Sequence, residues 1–155
     1  MFQDFNKTIE LTTAPAAVWD ALLDVRRVAS WVSIVRDVRD VEPPRRYTAL
    51  LEDRLGPFAM RADLEVTVET GVDRTMRVAA SGEDRQVASR ISATIDLALG
   101  PRGTGTLLTV TGRYEITGRI ATLGAGAIRK KGDRILEEFF SSCGRELGAI
   151  EPAHF

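Results

Sequence analysis

The chain has 155 residues, 44% of them hydrophobic, with 21 Lys plus Arg against 22 Asp plus Glu for a net charge of −1. That length suits a single domain, 1–155, whose core can bury about 70% of the unfolded surface. The balanced charge excludes a general electrostatic case for nucleic acid. Cys143 is the only cysteine, which excludes an intrachain disulfide and makes a reducing, cytoplasmic location the expectation. The N-terminus MFQDFNKTIEL lacks the basic start and apolar core of a signal peptide. No run approaches the roughly 18 apolar residues of a membrane span.

Phe5, Lys7, Ile9 and Leu11 alternate with Asn6, Thr8 and Glu10, the period of a first strand. Thr12 or Thr13 is placed to cap a helix with Pro15 in its first turn, running through Val18, Trp19, Leu22 and Leu23. A second short helical turn covers Val28–Val32 and carries Trp31. Strands follow at Ile34–Val41, Tyr47–Leu55 and, after the Gly56-Pro57 turn, Phe58–Glu69. In the last of these Phe58, Met60, Ala62, Leu64, Val66 and Val68 point one way, and Ala59, Arg61, Asp63, Glu65, Thr67 and Glu69 the other. One buried and one wet face is the pattern of an antiparallel sheet covered on one side. Gly71-Val72-Asp73 turns into Met76, Val78 and Ala80, and Gly82-Glu83-Asp84 into Ile91, Ala93, Ile95, Leu97 and Leu99. A loop over Gly100–Gly105 leads to Leu108, Val110, Gly112, Tyr114 and Ile116.

Thr117–Leu147 has no proline and reads as an amphipathic helix of roughly 27 residues, about 40 Å long. At 100° per residue Ala121, Ala125, Ile128, Gly132, Ile135, Leu136, Phe139 and Cys143 share one face, opposite Lys130, Asp133, Arg134 and Glu137. The predicted fold class is α+β. A strongly curved antiparallel sheet of about six to seven strands and two short helices is covered on its concave face by one long C-terminal helix. A mobile tail is expected at 149–155. The helix's first half is lined by small residues, Ala121, Gly124, Ala125 and Gly132, and inward strand positions include Ala49, Ala62, Ala80, Ala93 and Gly112. Small residues on both sides favour an enclosed apolar cavity over close packing.

Several short motifs carry a family resemblance: Ala14-Pro15 with Val18-Trp19-Asp20-Ala21-Leu22, Leu55-Gly56-Pro57-Phe58, Gly105-Thr106-Leu107-Leu108, and Gly118-Arg119-Ile120-Ala121-Thr122-Leu123-Gly124 running into Ile128, Leu136 and Phe139-Phe140. With this layout the chain resembles the helix-grip fold of the SRPBCC superfamily, which includes START and birch-pollen-allergen-like proteins. More narrowly it looks like the CoxG-like branch, whose members accompany carbon monoxide dehydrogenase and are also described as polyketide cyclase/dehydrase-like. The resemblance implies binding of hydrophobic small molecules, quinone- or lipid-like, in the service of a CO dehydrogenase-type oxidoreductase, with no other cofactor. The sequence departs from that pattern by ending at Phe155 soon after the helix, so at most peripheral membrane contact is expected, and by placing Asp53 and Tyr114 at inward positions. Partner identity and oligomeric state stay open.

The candidate ligand-binding residues are Trp31, Leu51, Asp53, Met60, Ala62, Leu64, Met76, Val78, Ile91, Ala93, Ile95, Val110, Gly112, Tyr114, Ala121, Gly124, Ala125, Ile128, Gly132 and Ile135. Asp53 reads either as an inward acceptor or general base with a raised pKa, or as a strand-end residue reaching water. Tyr114 reads as a ligand-facing hydroxyl or an ordinary core tyrosine, and Trp31 as a pocket mouth or plain core. A cyclase, dehydratase or hydrolase would use Asp53 and Tyr114 as its acid–base pair; a non-catalytic carrier needs neither, and an interaction module would use the surface instead. Trp19 reads as core, and Arg61, Asp63 and the run Arg129-Lys130-Lys131 as solvated faces, the run being an alternative contact for anionic lipid. Gly124-Ala125-Gly126 is a poor dinucleotide loop, because Arg129 stands at the third glycine position and the neighbouring strands are antiparallel. His154 is the single histidine, and no His, Cys or carboxylate set has metal-ligand spacing.

Overall fold

The computed structural model describes residues 1–150. Its strands are β1 (Phe2–Leu11), β2 (Val35–Glu42), β3 (Arg46–Leu55), β4 (Phe58–Thr70), β5 (Thr75–Asp84), β6 (Ser89–Arg102) and β7 (Gly105–Gly118). Helices α1 (Pro15–Leu23) and α2 (Val25–Ala29) follow β1, and a 3-10 turn (Arg119–Leu123) leads from β7 into α3 (Ala125–Leu147). All seven strands form one open antiparallel sheet in the order β1-β7-β6-β5-β4-β3-β2. This is the helix-grip architecture, with α3 along the concave face.

The long C-terminal stretch does not form one helix. β7 continues to Gly118, and the helix starts only at Ala125. Gly118 and Gly124 hold φ of +92° and +94°, values outside the helical range that favour glycine. At Gly118 an added Cβ would also collide with the Ala88 carbonyl oxygen. Periodicity carries no sign of such dihedral breaks, so the expected 117–147 helix overran by two distinct elements.

Other boundaries moved for local reasons. Ala14, not a threonine, is the N-cap of α1, and no side chain caps it; Thr13 Oγ1 instead donates to the Leu147 carbonyl at 2.7 Å. α2 starts three residues before the predicted Val28–Val32 because the Asp24 side chain accepts from the Arg27 N–H and starts the helix at Val25. The turn expected at Gly82-Glu83-Asp84 is strand: Gly82 lets the Asp63 carbonyl approach where a Cβ would meet it at 2.5 Å. The turn falls after Asp84, whose carboxylate accepts from Gln86 N–H and Arg61 N–H. The Gly100–Gly105 loop shrinks to Gly103-Thr104, with Pro101 and Arg102 paired to β7.

Two apolar clusters fill opposite ends of the concave face. One gathers Leu11, Val18, Leu22, Trp31, Met76, Leu97, Leu108, Val110, Cys143 and Leu147 beneath α1, α2 and the end of α3. The other gathers Ala49, Leu51, Leu55, Met60, Ala62, Leu64, Ile116, Ile120 and Ile128 beneath the 3-10 turn and the start of α3. Fully buried members such as Leu108 and Ile120 each contribute about 1.5–3 kcal/mol of transfer free energy. Beyond α3, Ala149 bridges to Leu11, and the Ile150 N–H donates to the Glu10 carbonyl. The rest of the expected tail, with His154, lies outside the described residues.

Candidate functional site between the sheet and the long helix

Strand register places inward side chains in rows across the sheet. One row runs Val66, Ala80, Ala93, Tyr114, Gln3, and the next Val68, Val78, Ile95, Gly112, Phe5. The second row belongs to the edge of the first cluster, and the first row joins the two clusters through Val66 and Tyr114. Although they point toward α3, Val66, Val78, Ala80, Ala93, Ile95 and Tyr114 keep partial exposure, as do Gly132, Ile135 and Leu136 on the helix. Val66, Val78, Ile95 and Phe5 pack against the first cluster and Val66 and Tyr114 against the second, so this partly exposed band is where an apolar guest would meet the sheet.

The candidate residues divide accordingly. Leu51, Met60, Ala62, Leu64, Met76, Val110 and Ile128 are core members, 1–6% exposed, and Ile91 packs partly buried against the second cluster. Ala121 lies on the 3-10 turn and Gly124 ahead of α3, while Ala125 is exposed. Gly112 leaves no gap, since the Phe5 ring occupies the place of its side chain. Of the small residues expected to roof a hollow, only Gly132 faces the sheet on α3, and the Tyr114 hydroxyl sits against it.

Tyr114 therefore spans from β7 to α3, its hydroxyl 3.5 Å from the Ile128 carbonyl oxygen. That is the long limit of a hydrogen bond, so the hydroxyl retains capacity for another partner. Burial, reinforced by nearby Asp133, pushes its pKa above the ordinary tyrosine value. Asp53 points inward and pairs with Lys131 on α3 at 2.9 Å, with side-chain exposures of 13% for Asp53 and 29% for Lys131. The same Oδ1 accepts from the Arg54 N–H. No hydrogen bond joins Asp53 to Tyr114 among the described residues.

Trp31 is core, 1% exposed, edge-on to Phe139 at 5.5 Å. It also floors a hollow of about 350 Å³ bounded by Ser33, Glu138, Ser141, Ser142 and Arg145. Its indole N–H donates to Glu146 Oε2 at 2.7 Å, and Arg27 donates to Oε1 at 2.7 Å. Those two bonds, the arginine's first, hold the Glu146 carboxyl below its ordinary pKa.

Sequence reading missed three of the ties that hold α3. Gln3 on β1 donates to the Ala125 carbonyl and accepts from Arg129. Lys131 pairs with Asp53, and Glu138 accepts from the Ser33 N–H. Arg129 and Lys131 are thus not a plain solvated face; they flank the apolar stripe, one reaching the edge strand β1 and the other β3, next to the far edge. The available signal was that Gln3 and Asp53 share parity with apolar inward neighbours. Among the described residues no cluster of His, Cys, Asp and Glu could hold a metal, and no helix is long and apolar enough to cross a membrane.

Residues 3–148 match the family described as polyketide cyclase/dehydrase and lipid transport. The chain belongs to that family. It lies within the SRPBCC superfamily that the sequence motifs resemble. No curated protein matches the sequence significantly. Among solved structures, a conserved protein from Geobacillus kaustophilus superposes with a TM-score of 0.80 at 20% identity, over 94% of this chain and 95% of the other. A START superfamily protein from Mycobacterium smegmatis gives 0.70 at 12%, over 93% and 96%. Ara h 8.0201 gives 0.63 at 12%, over 94% and 97%. At these identities the likeness is one of fold. What this member of the polyketide cyclase/dehydrase and lipid transport family shares with them is the fold.

Proposed function

We propose that this protein binds an apolar, ring-containing small molecule between the sheet and α3, and carries it without chemical change. The observation that supports this is the partial exposure that Val66, Val78, Ala93, Ile95, Tyr114 and Ile135 keep on the inward side of the sheet and on α3, at the margins of the two clusters. Membership of a family whose description includes lipid transport points the same way. A quinone- or lipid-like ligand is the finer reading, and a CO dehydrogenase-type oxidoreductase the partner it would serve. Catalysis by Asp53 and Tyr114 is disfavoured because no hydrogen bond joins the two among the described residues and Asp53 is paired with Lys131 instead. A general base must reach its proton within hydrogen-bond distance.

The test is thermal denaturation with menadione, a short-chain ubiquinone and a fatty acid, paired with native mass spectrometry. A ligand at 100 times its Kd stabilises the native state by about 2.7 kcal/mol. For a chain of this size that corresponds to a rise of roughly 5–10 °C in Tm. No stabilisation and no bound species with any of the three would remove the carrier reading.

A further inference from the structure

We infer that the Asp53–Lys131 pair is a polar anchor selecting uncharged, oxygen-bearing ligands over charged ones. This rests on the proposal that an apolar molecule lies between sheet and α3. Three observations carry it. First, the pair sits on the inward side of β3, between Leu51 and Leu55 and opposite Met60, all core residues. With side chains 13% and 29% exposed the pair is partly screened by water, and such ion pairs add little net stability, so stability gives little reason for it.

Second, the pair is accessible and unsaturated. Asp53 Oδ1 accepts both protein donors, Arg54 N–H and the Lys131 ammonium, and Oδ2 has no protein partner among the described residues. Lys131 carries three N–H donors, and Asp53 is the only acid paired with it among the described residues. Third, Lys131 is next in sequence to Gly132, where the weakly bonded Tyr114 hydroxyl rests. On one turn of α3, Lys131 thus meets Asp53 of β3 and Gly132 meets the Tyr114 hydroxyl of β7, with the partly exposed Ile135 one turn further on.

The chemistry of such a site sets its preference. A carbonyl oxygen takes a free Lys131 N–H, and a ligand hydroxyl donates to Asp53 Oδ2, with the ion pair left intact. A carboxylate ligand meets the Asp53 charge, and an amine meets Lys131; each must break the pair or sit beside a like charge. The interior is thus selective for ketones and alcohols on an apolar ring.

The experiment titrates four probes of one shape at neutral pH: naphthalene, methyl naphthyl ketone, naphthoate and naphthylmethylammonium. Wild-type protein is expected to bind the ketone about tenfold more tightly than naphthalene, the effect of one charge-assisted hydrogen bond, and both ions more weakly than naphthalene. Asp53→Asn is expected to bring naphthoate up about tenfold, and Lys131→Met to erase the preference for ketone. Equal wild-type affinity for ketone and naphthalene, or a wild-type preference for either ion, overturns the inference while leaving the carrier reading standing. Failure of all four to bind overturns both. The wild-type order alone decides, so a variant that folds poorly does not leave the matter open.

Discussion

A methyl group on Gly132 would overlap the Tyr114 hydroxyl. Gly132→Ala gains about 1 kcal/mol of helix propensity, yet must displace a rigid ring, at about 1–3 kcal/mol. The single variant is expected to be less stable than wild type, and Tyr114→Phe in the same chain to restore only part of the loss, because ring carbon Cζ would still lie 2.7 Å from the new methyl. Urea denaturation of the two singles and the double closes the cycle; additivity would mean the hydroxyl and the helix do not touch. At Cys143 burial pushes the thiol up to about 12, so the thiolate that reacts is nearly absent at neutral pH. Iodoacetamide is expected to leave native protein unmodified and to label it fully in denaturant; rapid native labelling would contradict the packing at the end of α3. The burial of Cys143 was readable from its place on the helical stripe. The fit of Tyr114 onto Gly132 was not, since it joins residues on two elements whose spacing no one-dimensional pattern encodes.

At the level of elements, α3 is held along both flanks by side-chain bonds, to β1 through Gln3, to β3 through Lys131 and to α2 through Glu146. The folded pKa of Glu146 lies below its ordinary 4.5. Its contribution is therefore complete above the unfolded value and lost as pH falls through the lower folded one. With the carboxylate and Arg27 both about 40% exposed, the ion pair is worth about 0.2–1 kcal/mol. Glu146→Gln is expected to lower Tm slightly at neutral pH, and the gap to wild type to close as pH falls below the ordinary carboxyl value and through the lower folded one, as thermal scans across pH would show. A gap that widens in acid would reverse the assignment. The strands were legible from alternation, most plainly in β4, where Met60, Ala62, Leu64 and Val68 are buried and Arg61, Asp63, Glu65 and Thr67 exposed. The start of α3 was not, because Gly118 and Gly124 interrupt it through backbone dihedrals while the apolar spacing runs on uninterrupted.

At the scale of the molecule, one long helix crossing a seven-stranded sheet followed from the order of elements, since only that helix was apolar enough to cover the inner face. The size of the space beneath it was less legible. Inward alternation marks Leu51, Met60 and Val78 alike, but whether a side chain meets a neighbour or a gap depends on how far the sheet bends, and the first two are packed while the third is partly exposed. Small residues were an uneven guide: Gly112 admits Phe5 and Gly132 admits Tyr114, whereas Ala80 and Ala93 stand side by side in the central row. Ala93 is therefore where added bulk would intrude on a guest while disturbing the clusters least. The most direct measurement is calorimetric titration of menadione into wild-type protein and Ala93→Phe, with circular dichroism confirming that both are folded. Binding at one site per chain in the wild type, weakened at least about tenfold in the variant, is the expected result. Equal binding by both proteins, or none by the wild type, would contradict a ligand lying between the sheet and α3.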